Sequence, residues 1–335
     1  MSEHLNDKDP RTDYDKRTHR WSEASARKYN NPYPNEIVEF IDWDDPEYEV
    51  TPNDPRWILP ENFDLGAHPW YQSLPEEEKI RIGMYRYAQV ARVGSEFEEG
   101  LISGIAFRNI WLPSDSEEKR YSTHEAEEEE RHILMFDGLV KQIGVKPKGA
   151  PEWFRNSLYL APPVAKLAPV AFWAIVLGGE EPIDTIQREL LNQAKQGAEI
   201  HPLLHRVMQV HVEEEARHIG FANKFLEENI KKLNPIQRKT FSSSIGKIHE
   251  ILANVIIRPS AESLREMGVP KQVADEVWWN SDSGQKAYQS LFTRAQRRYE
   301  KLGMKFEVNE NKPTDKVVDY VLRKCGVNGP VLRKA

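Results

Sequence analysis

The chain has 335 residues, and its 46 Lys+Arg against 53 Asp+Glu give a formal net charge of −7. This mildly acidic balance argues against a general nucleic-acid binder. No apolar stretch reaches the length of a membrane span, and the polar N-terminus has no apolar signal core. The single cysteine, Cys325, excludes an intramolecular disulfide. We therefore expect a cytoplasmic protein that binds neither nucleic acid nor membrane.

Composition along the chain predicts one domain behind a short tail. Residues 1–20 are charged and are predicted to be a disordered N-terminal tail. Residues 21–335 are predicted to form a single helical domain. Within it, residues 30–75 are rich in proline and aromatic side chains, which indicates an extended segment that wraps the domain. The core bundle is expected over about 75–258, followed by C-terminal helices over 259–335.

After residue 75 the apolar residues recur at helical spacing, and no alternating β-run competes. Prolines and capping residues mark the starts of the predicted helices. The starts lie near Pro75, after Ser116, at Pro202 and at Pro235. A further helical region covers 163–198, where Gly178, Gly179 and Pro182 are expected to distort the geometry. The predicted fold class is all-α.

A Glu-x-x-His motif occurs twice, in two Glu-rich helical stretches. The pairs are Glu129 with His132 and Glu215 with His218. Positions i and i+3 lie on one face of a helix, so each pair can direct two metal ligands at one point. A single such motif is usually part of a solvated acidic face. Its repetition on two predicted helices favours a carboxylate-bridged two-metal centre.

Each motif also follows a glutamate in an otherwise apolar or small-residue helix. Glu96 precedes the first motif, with Glu98 and Glu99 as rivals, and Glu180 precedes the second, with Glu181 as its rival. A carboxylate in an apolar helical stripe is costly to bury unless it meets a cation. Four glutamates carry a charge of about −4, which balances two divalent ions.

Two more residues are candidates for the same site. His211 shares a helical stripe with Glu215 and His218 and is a candidate seventh ligand, although a core histidine is the alternative. Asp184 lies one turn after Glu180 and is a candidate for orienting an imidazole, with a plain surface aspartate as the alternative. Oxygen and imidazole ligands without thiolates suit iron or manganese.

These residues resemble the p-aminobenzoate N-oxygenases, the AurF-like di-iron oxygenases of the ferritin-like superfamily. The resemblance covers about residues 80–225, and its most specific element is His211-x-x-x-Glu215-x-x-His218. It implies a ferritin-like four-helix bundle with additional helices, holding two iron ions, with manganese as the other candidate metal. The implied ligands are Glu96, Glu129, His132, Glu180, His211, Glu215 and His218. Glu129 and Glu215 would bridge the metals, and no separate protein acid or base is assigned.

The resemblance implies an O2-dependent monooxygenase that works through a peroxo-di-iron intermediate. An external electron donor, and therefore an electron-transfer partner, is expected, because no flavin or nicotinamide fingerprint occurs. The substrate would be a small organic molecule, with N-oxygenation of an arylamine as the first candidate and C-hydroxylation close behind. The chain departs from the family pattern at Ala88, Ala91 and Asp184, which places aminobenzoate itself in doubt. A homodimer is a possible assembly.

Three other functions share part of this pattern. An acyl-chain desaturase or hydroxylase of the di-iron class uses the same glutamate and Glu-x-x-His doublet. A non-catalytic, ferritin-like iron-handling protein does so as well, although its subunits are about half as long and lack a ligand like His211. A helical scaffold with acidic faces would bind no metal. Product analysis under O2 separates these functions from the oxygenase.

Overall fold

The computed structural model describes residues 12–27 and 41–308, and within these ranges it contains helices and no strand. The helices before the first long one are α1 (Asp13–Arg27) and α2 (Pro69–Gln72). The helices of the central region are α3 (Glu76–Asn109), α4 (Glu117–Ile143), α5 (Glu152–Ser157), α6 (Ala161–Leu167), α7 (Pro169–Lys195) and α8 (Pro202–Asn229). The remaining described helices are α9 (Pro235–Ile257), α10 (Ala261–Met267), α11 (Lys271–Asp275), α12 (Asp282–Leu291) and α13 (Thr293–Lys301).

Four long helices, α3, α4, α7 and α8, form the central bundle. Helix α3 packs along α4, α7 packs along α8, and the two pairs contact each other through α4 with α8 and α3 with α7. Local signals in the sequence fix their ends. The Ser116 side chain accepts a hydrogen bond from the backbone N–H of Lys119 at the start of α4, and Gly144 ends that helix at φ 76°. The predicted all-α, ferritin-like fold is confirmed.

Additional helices surround the bundle. Helix α9 and the C-terminal α13 pack on α7, α6 packs on α3, and α1 lies across α4 and α8. None of the described helices is both long and apolar enough to cross a membrane.

Two glycines let neighbouring helices approach the middle of α7. A Cβ on Gly179 would lie 2.1 Å from the ring of Phe97 on α3, and one on Gly178 would lie 2.8 Å from Leu252 on α9. The helix continues through Gly178, Gly179 and Pro182, because tertiary packing on both sides stabilises it. The prediction for this region is corrected in one respect. The break lies at Ala168, between α6 and α7, and separates two helices.

The N-terminal predictions need a correction as well. Residues 13–27 form α1, so the predicted disordered tail does not extend to residue 20, while residues 1–11 lie outside the described residues. Tyr14 and Trp21 pack against Phe221 of α8, which explains why this charged stretch is ordered. Part of the predicted wrapping segment, residues 28–40, also lies outside the described residues. Its described part carries turns and short helices, with Trp57 fully buried.

Candidate metal centre

Each helix of the central bundle contributes at least one buried carboxylate or imidazole to a cluster in its interior. The members are Glu98 of α3, Glu129 and His132 of α4, Glu180 of α7, and His211, Glu215 and His218 of α8. All seven side chains are at most 1 % exposed. The cluster therefore joins one glutamate from each of two helices to a Glu-x-x-His pair from each of the other two, which is the ligand pattern of two-metal carboxylate proteins.

The potential ligand atoms form three overlapping groups, and within each group they lie within 4.8 Å of one another. The first group contains Glu98, His132, His211 and Glu215; the second contains Glu129, His132, Glu215 and His218; the third contains Glu98, Glu129 and Glu180. Glu98, Glu129, His132 and Glu215 each belong to two groups, so the three groups form one continuous site.

Several donor atoms of the cluster are buried without a hydrogen-bond partner among the described residues. They include both carboxylate oxygens of Glu98 and of Glu180, Oε2 of Glu215 and Nε2 of His211. Buried polar atoms are almost always paired, because each unpaired one costs about 1–3 kcal/mol. Unpaired lone pairs that converge from three helices fit metal ions. Oxygen and imidazole donors without thiolates suit iron or manganese.

The two Glu-x-x-His imidazoles attract protons in the metal-free protein. Burial lowers the pKa of His132, but the carboxylates around it, Glu129 first, raise it well above its usual value. The pKa of His218 is raised in the same way, by Glu129 and Glu215 against burial. Nδ1 of His132 lies 2.7 Å from Glu129, and Nδ1 of His218 lies 2.9 Å from Glu129. Protons on these two nitrogens supply positive charge at the positions that metal ions would take.

The four glutamates divide into two pairs by their pKa. Burial, with help from neighbouring carboxylates, raises the pKa of Glu98 and Glu180 well above the usual value. Burial acts in the same direction on Glu129 and Glu215, but the adjacent imidazoles reverse the effect and lower both pKa values. The surroundings therefore favour the ionised form of Glu129 and Glu215 and the neutral form of Glu98 and Glu180. Metal binding must displace protons from both kinds of group.

His211 differs from the other two histidines. Burial and the neighbouring His132 lower its pKa to about 4, so the ring is neutral at physiological pH. Its Nδ1 lies 2.8 Å from the side-chain oxygen of Gln187. Because that oxygen accepts a hydrogen bond from Nδ1–H, Nε2 carries the lone pair, and it lies 3.7 Å from both Glu98 and Glu215. A neutral imidazole with a fixed tautomer is ready to bind a metal. The sequence reasoning did not identify Gln187, which lies on a different helix from His211.

The outer nitrogens of the Glu-x-x-His imidazoles are held by carboxylates from the opposite helix. Nε2 of His132 on α4 lies 3.0 Å from Glu214 of α8, and Nε2 of His218 on α8 lies 2.8 Å from Glu128 of α4. Each of these glutamates immediately precedes a candidate ligand glutamate. Arg217 pairs with Glu128 at 2.5 Å. These contacts fix the ring orientation and leave Nδ1 for the metal. The sequence offered one signal for these two partners, because each motif reads Glu-Glu-x-x-His with a second glutamate before the ligand glutamate.

The first-helix ligand predicted from the sequence needs a correction. Glu96 does not reach the cluster, because its carboxylate accepts a hydrogen bond from the backbone N–H of Ala150 at 2.7 Å and pairs with Arg92 at 3.2 Å. Glu98, two residues further along α3, occupies the expected position instead. The structure brings the other six predicted ligands together.

Asp184 has a different role from the one predicted. Its buried carboxylate contacts no imidazole; it accepts hydrogen bonds from Arg188 at 2.7 Å and from Arg294 of α13 at 2.6 Å. Arg298, one turn further along α13, pairs with the buried Glu181. Both carboxylates flanking Glu180 on α7 are therefore neutralised by arginines. Of the three acidic residues Glu180, Glu181 and Asp184, Glu180 is the one whose carboxylate is not paired with an arginine and is free to bind a metal.

We predict that Glu98→Gln abolishes stoichiometric metal binding, because the amide cannot supply the anionic oxygens that balance the ions. Glu96→Gln is the matched control on the same helix. It should keep wild-type metal content and lower the melting temperature, because it loses its pairing with Arg92. Metal analysis by mass spectrometry, with thermal unfolding, measures both effects. The reverse result, with metal lost only in Glu96→Gln, would restore the sequence-based assignment.

We further predict that Glu128→Ala and Glu214→Ala each weaken metal binding about 10–100-fold, because each releases an imidazole from its fixed orientation. Glu130→Ala and Glu213→Ala remove exposed glutamates from the same two helices and should leave the affinity unchanged. Competition titration with a chelator gives the four affinities. Equal affinities in all four variants would show that the cross-helix contacts do not support the ligands.

Comparison with known proteins agrees with this geometry. The family model described as P-aminobenzoate N-oxygenase AurF matches residues 11–303. The uncharacterized protein Mb0909 of Mycobacterium bovis is 42% identical over 274 residues, covering 82% of this chain and 78% of the relative. The uncharacterized protein Rv0885 of Mycobacterium tuberculosis matches with the same identity and coverage. The chain belongs to the P-aminobenzoate N-oxygenase AurF family.

Proposed function

We propose that this protein is an O2-dependent di-iron oxygenase that oxidises a small organic substrate. One observation carries the proposal: a buried cluster of four glutamates and three histidines, with His211 as the third imidazole, in a chain of the AurF family. Two ions held by these side chains would supply O2 activation. The candidate ligands are Glu98, Glu129, His132, Glu180, His211, Glu215 and His218.

The protein's own contribution is a site of fixed charge and geometry. Glu98, Glu129, Glu180 and Glu215 would supply the oxygen ligands of the two ions, and His132, His211 and His218 the nitrogen ligands. Glu214 and Glu128 hold the outer nitrogens of the two Glu-x-x-His imidazoles. Complete burial of the cluster excludes bulk water, which protects reactive species from side reactions.

The chemistry requires an electron-transfer partner. Oxygenation of an amine consumes O2, two electrons and two protons; one oxygen atom forms the N–O bond and the other leaves as water. We propose a reduced electron-carrier protein as the external donor of the two electrons. Oxygen and imidazole ligands suit iron or manganese, and membership of the AurF family makes iron the first candidate.

Helix α3 bears on the choice of substrate. Ala88 and Ala91 are fully buried on α3, and neither side chain can bind the carboxylate of an aminobenzoate. With Gly94, they place small uncharged groups along α3 on the N-terminal side of Glu98. We therefore propose a neutral arylamine as the first candidate substrate, ahead of p-aminobenzoate, with C-hydroxylation of an aromatic ring as the next reaction to test.

We predict that the ferrous protein, mixed with O2 and a neutral arylamine, gives an oxygen-dependent absorbance change and an N-oxygenated product. Mass spectrometry after reaction with 18O2 should find one labelled oxygen in that product. The same assay offers p-aminobenzoate and a fatty acyl thioester as competing substrates. His218→Ala should lose both metal and product, while Glu213→Ala should retain both.

Three outcomes would contradict the proposal. A new double bond in the acyl chain would indicate a desaturase. Mineralised iron without an organic product would indicate iron storage. An absence of any oxygen-dependent change in the ferrous wild-type protein would exclude O2 activation at this site.

A further inference from the structure

One buried carboxylate beside the candidate metal centre has no role in the site described so far. Glu125 lies on α4, one turn before Glu129, and its side chain is 0 % exposed. Neither of its oxygens has a hydrogen-bond partner among the described residues. It belongs to none of the three groups of potential ligand atoms. Glu125 is thus a buried acid outside the ligand set, with unused hydrogen-bonding capacity.

Glu125 lies in a row of polar side chains along α4, called here the polar file, that leads away from the metal cluster. Tyr121, Glu125 and Glu129 are spaced at i, i+4 and i+8 along one face of α4. The hydroxyl of the buried Tyr121 also has no hydrogen-bond partner among the described residues. The file therefore joins two unpaired buried polar side chains to a candidate bridging glutamate.

The outer end of this file approaches the surface beneath α1. Tyr14 of α1 is half-buried, and its hydroxyl is close enough to Glu118 and Glu125 for both carboxylates to raise its pKa, after burial itself. Glu118 forms an ion pair with Arg108 at the partly exposed edge of the bundle. The polar groups between this edge and Glu125 thus come from α1, α3 and α4.

Internal water can supply the hydrogen bonds that these buried polar groups lack. Burial raises the pKa of Glu125 well above its usual value, which favours the neutral carboxylic acid. Buried polar groups that lack protein partners are normally satisfied by internal water, which forms two to four hydrogen bonds. A neutral acid and a phenol bridged by water can pass a proton along hydrogen bonds.

We propose that Tyr14, Tyr121 and Glu125 line a hydrated path that carries protons from the surface to the metal centre, with Glu125 as the inner proton donor. This inference rests on the proposed function and deepens it. Oxygenation needs two protons for the oxygen atom that leaves as water, and the candidate ligands are shielded from solvent. Glu125 gives a proton inward and regains one through water and the tyrosine hydroxyls, so its charge is unchanged after each turnover. The two electrons come from the external electron carrier.

Infrared spectroscopy tests the state of Glu125 without turnover. The protein is loaded with Mn²⁺ under argon, so that Glu98 and Glu180 bind metal and carry no proton. A carboxylic C=O band that shifts in D2O and vanishes in Glu125→Gln is expected from Glu125. Metal content should equal that of the wild type. The absence of this band, or a loss of metal in Glu125→Gln, would overturn the proposal, and loss of metal would make Glu125 a ligand.

Single-turnover kinetics tests proton delivery. In Glu125→Gln, decay of the oxygen-dependent absorbance change should slow about 100-fold, as expected for loss of a general acid, with a larger solvent isotope effect. Glu125→Asp should recover part of the rate, and Tyr121→Phe should cause a smaller slowing. Glu127→Gln, an exposed substitution on the same helix, should change nothing.

The two proposals fail in distinguishable ways. If the wild-type ferrous protein reacts with O2 and Glu125→Gln reacts at the same rate with the same isotope effect, the proton path is wrong and the oxygenase remains. If the wild-type protein does not react with O2, the oxygenase proposal fails, and the proposed proton delivery by Glu125 fails with it.

Discussion

Four carboxylates buried at one point in a helical bundle must be balanced by positive charge, and most features of this structure follow from that constraint. Burying an unpaired carboxylate is strongly unfavourable, so the group either acquires a proton or meets a cation. In this cluster the carboxylates raise the pKa of His132 and His218, and burial raises the pKa of Glu98 and Glu180. Two divalent ions would supply the positive charge that lets all four glutamates ionise.

The surrounding structure limits the number of charges that the metals meet. Arg294 and Arg298 of α13 pair with Asp184 and Glu181, the acidic neighbours of Glu180, so these two carboxylates do not add to the charge of the cluster. Arg217 likewise pairs with Glu128, the glutamate that holds His218. Helix α13 lies outside the four-helix core, yet it contributes to the electrostatics of its centre. Helix α13 thus neutralises acidic residues next to the site.

The Glu-x-x-His spacing predicted four of the clustered residues, because i, i+3 periodicity is a local property of a helix. Helical stripes added Glu180 and His211 as candidates, and the family resemblance implied the bundle. The spacing could not choose between Glu96 and Glu98, because α3 is buried on nearly all sides and has no polar face to orient it. The backbone N–H that captures Glu96 belongs to Ala150, 54 residues further along the chain. The partner of Asp184 on α13 is 110 residues away, and such tertiary contacts leave no spacing signal. Similarly, the charged composition of α1 concealed the aromatic contacts that order it.

The most direct test of this account is to count the protons released as the metal-free protein binds Mn²⁺ under argon at neutral pH in weakly buffered solution. We expect two ions per chain and a release of protons from the imidazoles and the buried carboxylic acids. Weakening of metal binding as the pH falls should accompany this release. One ion per chain, or two ions bound without proton release, would contradict the charge-balanced two-metal centre.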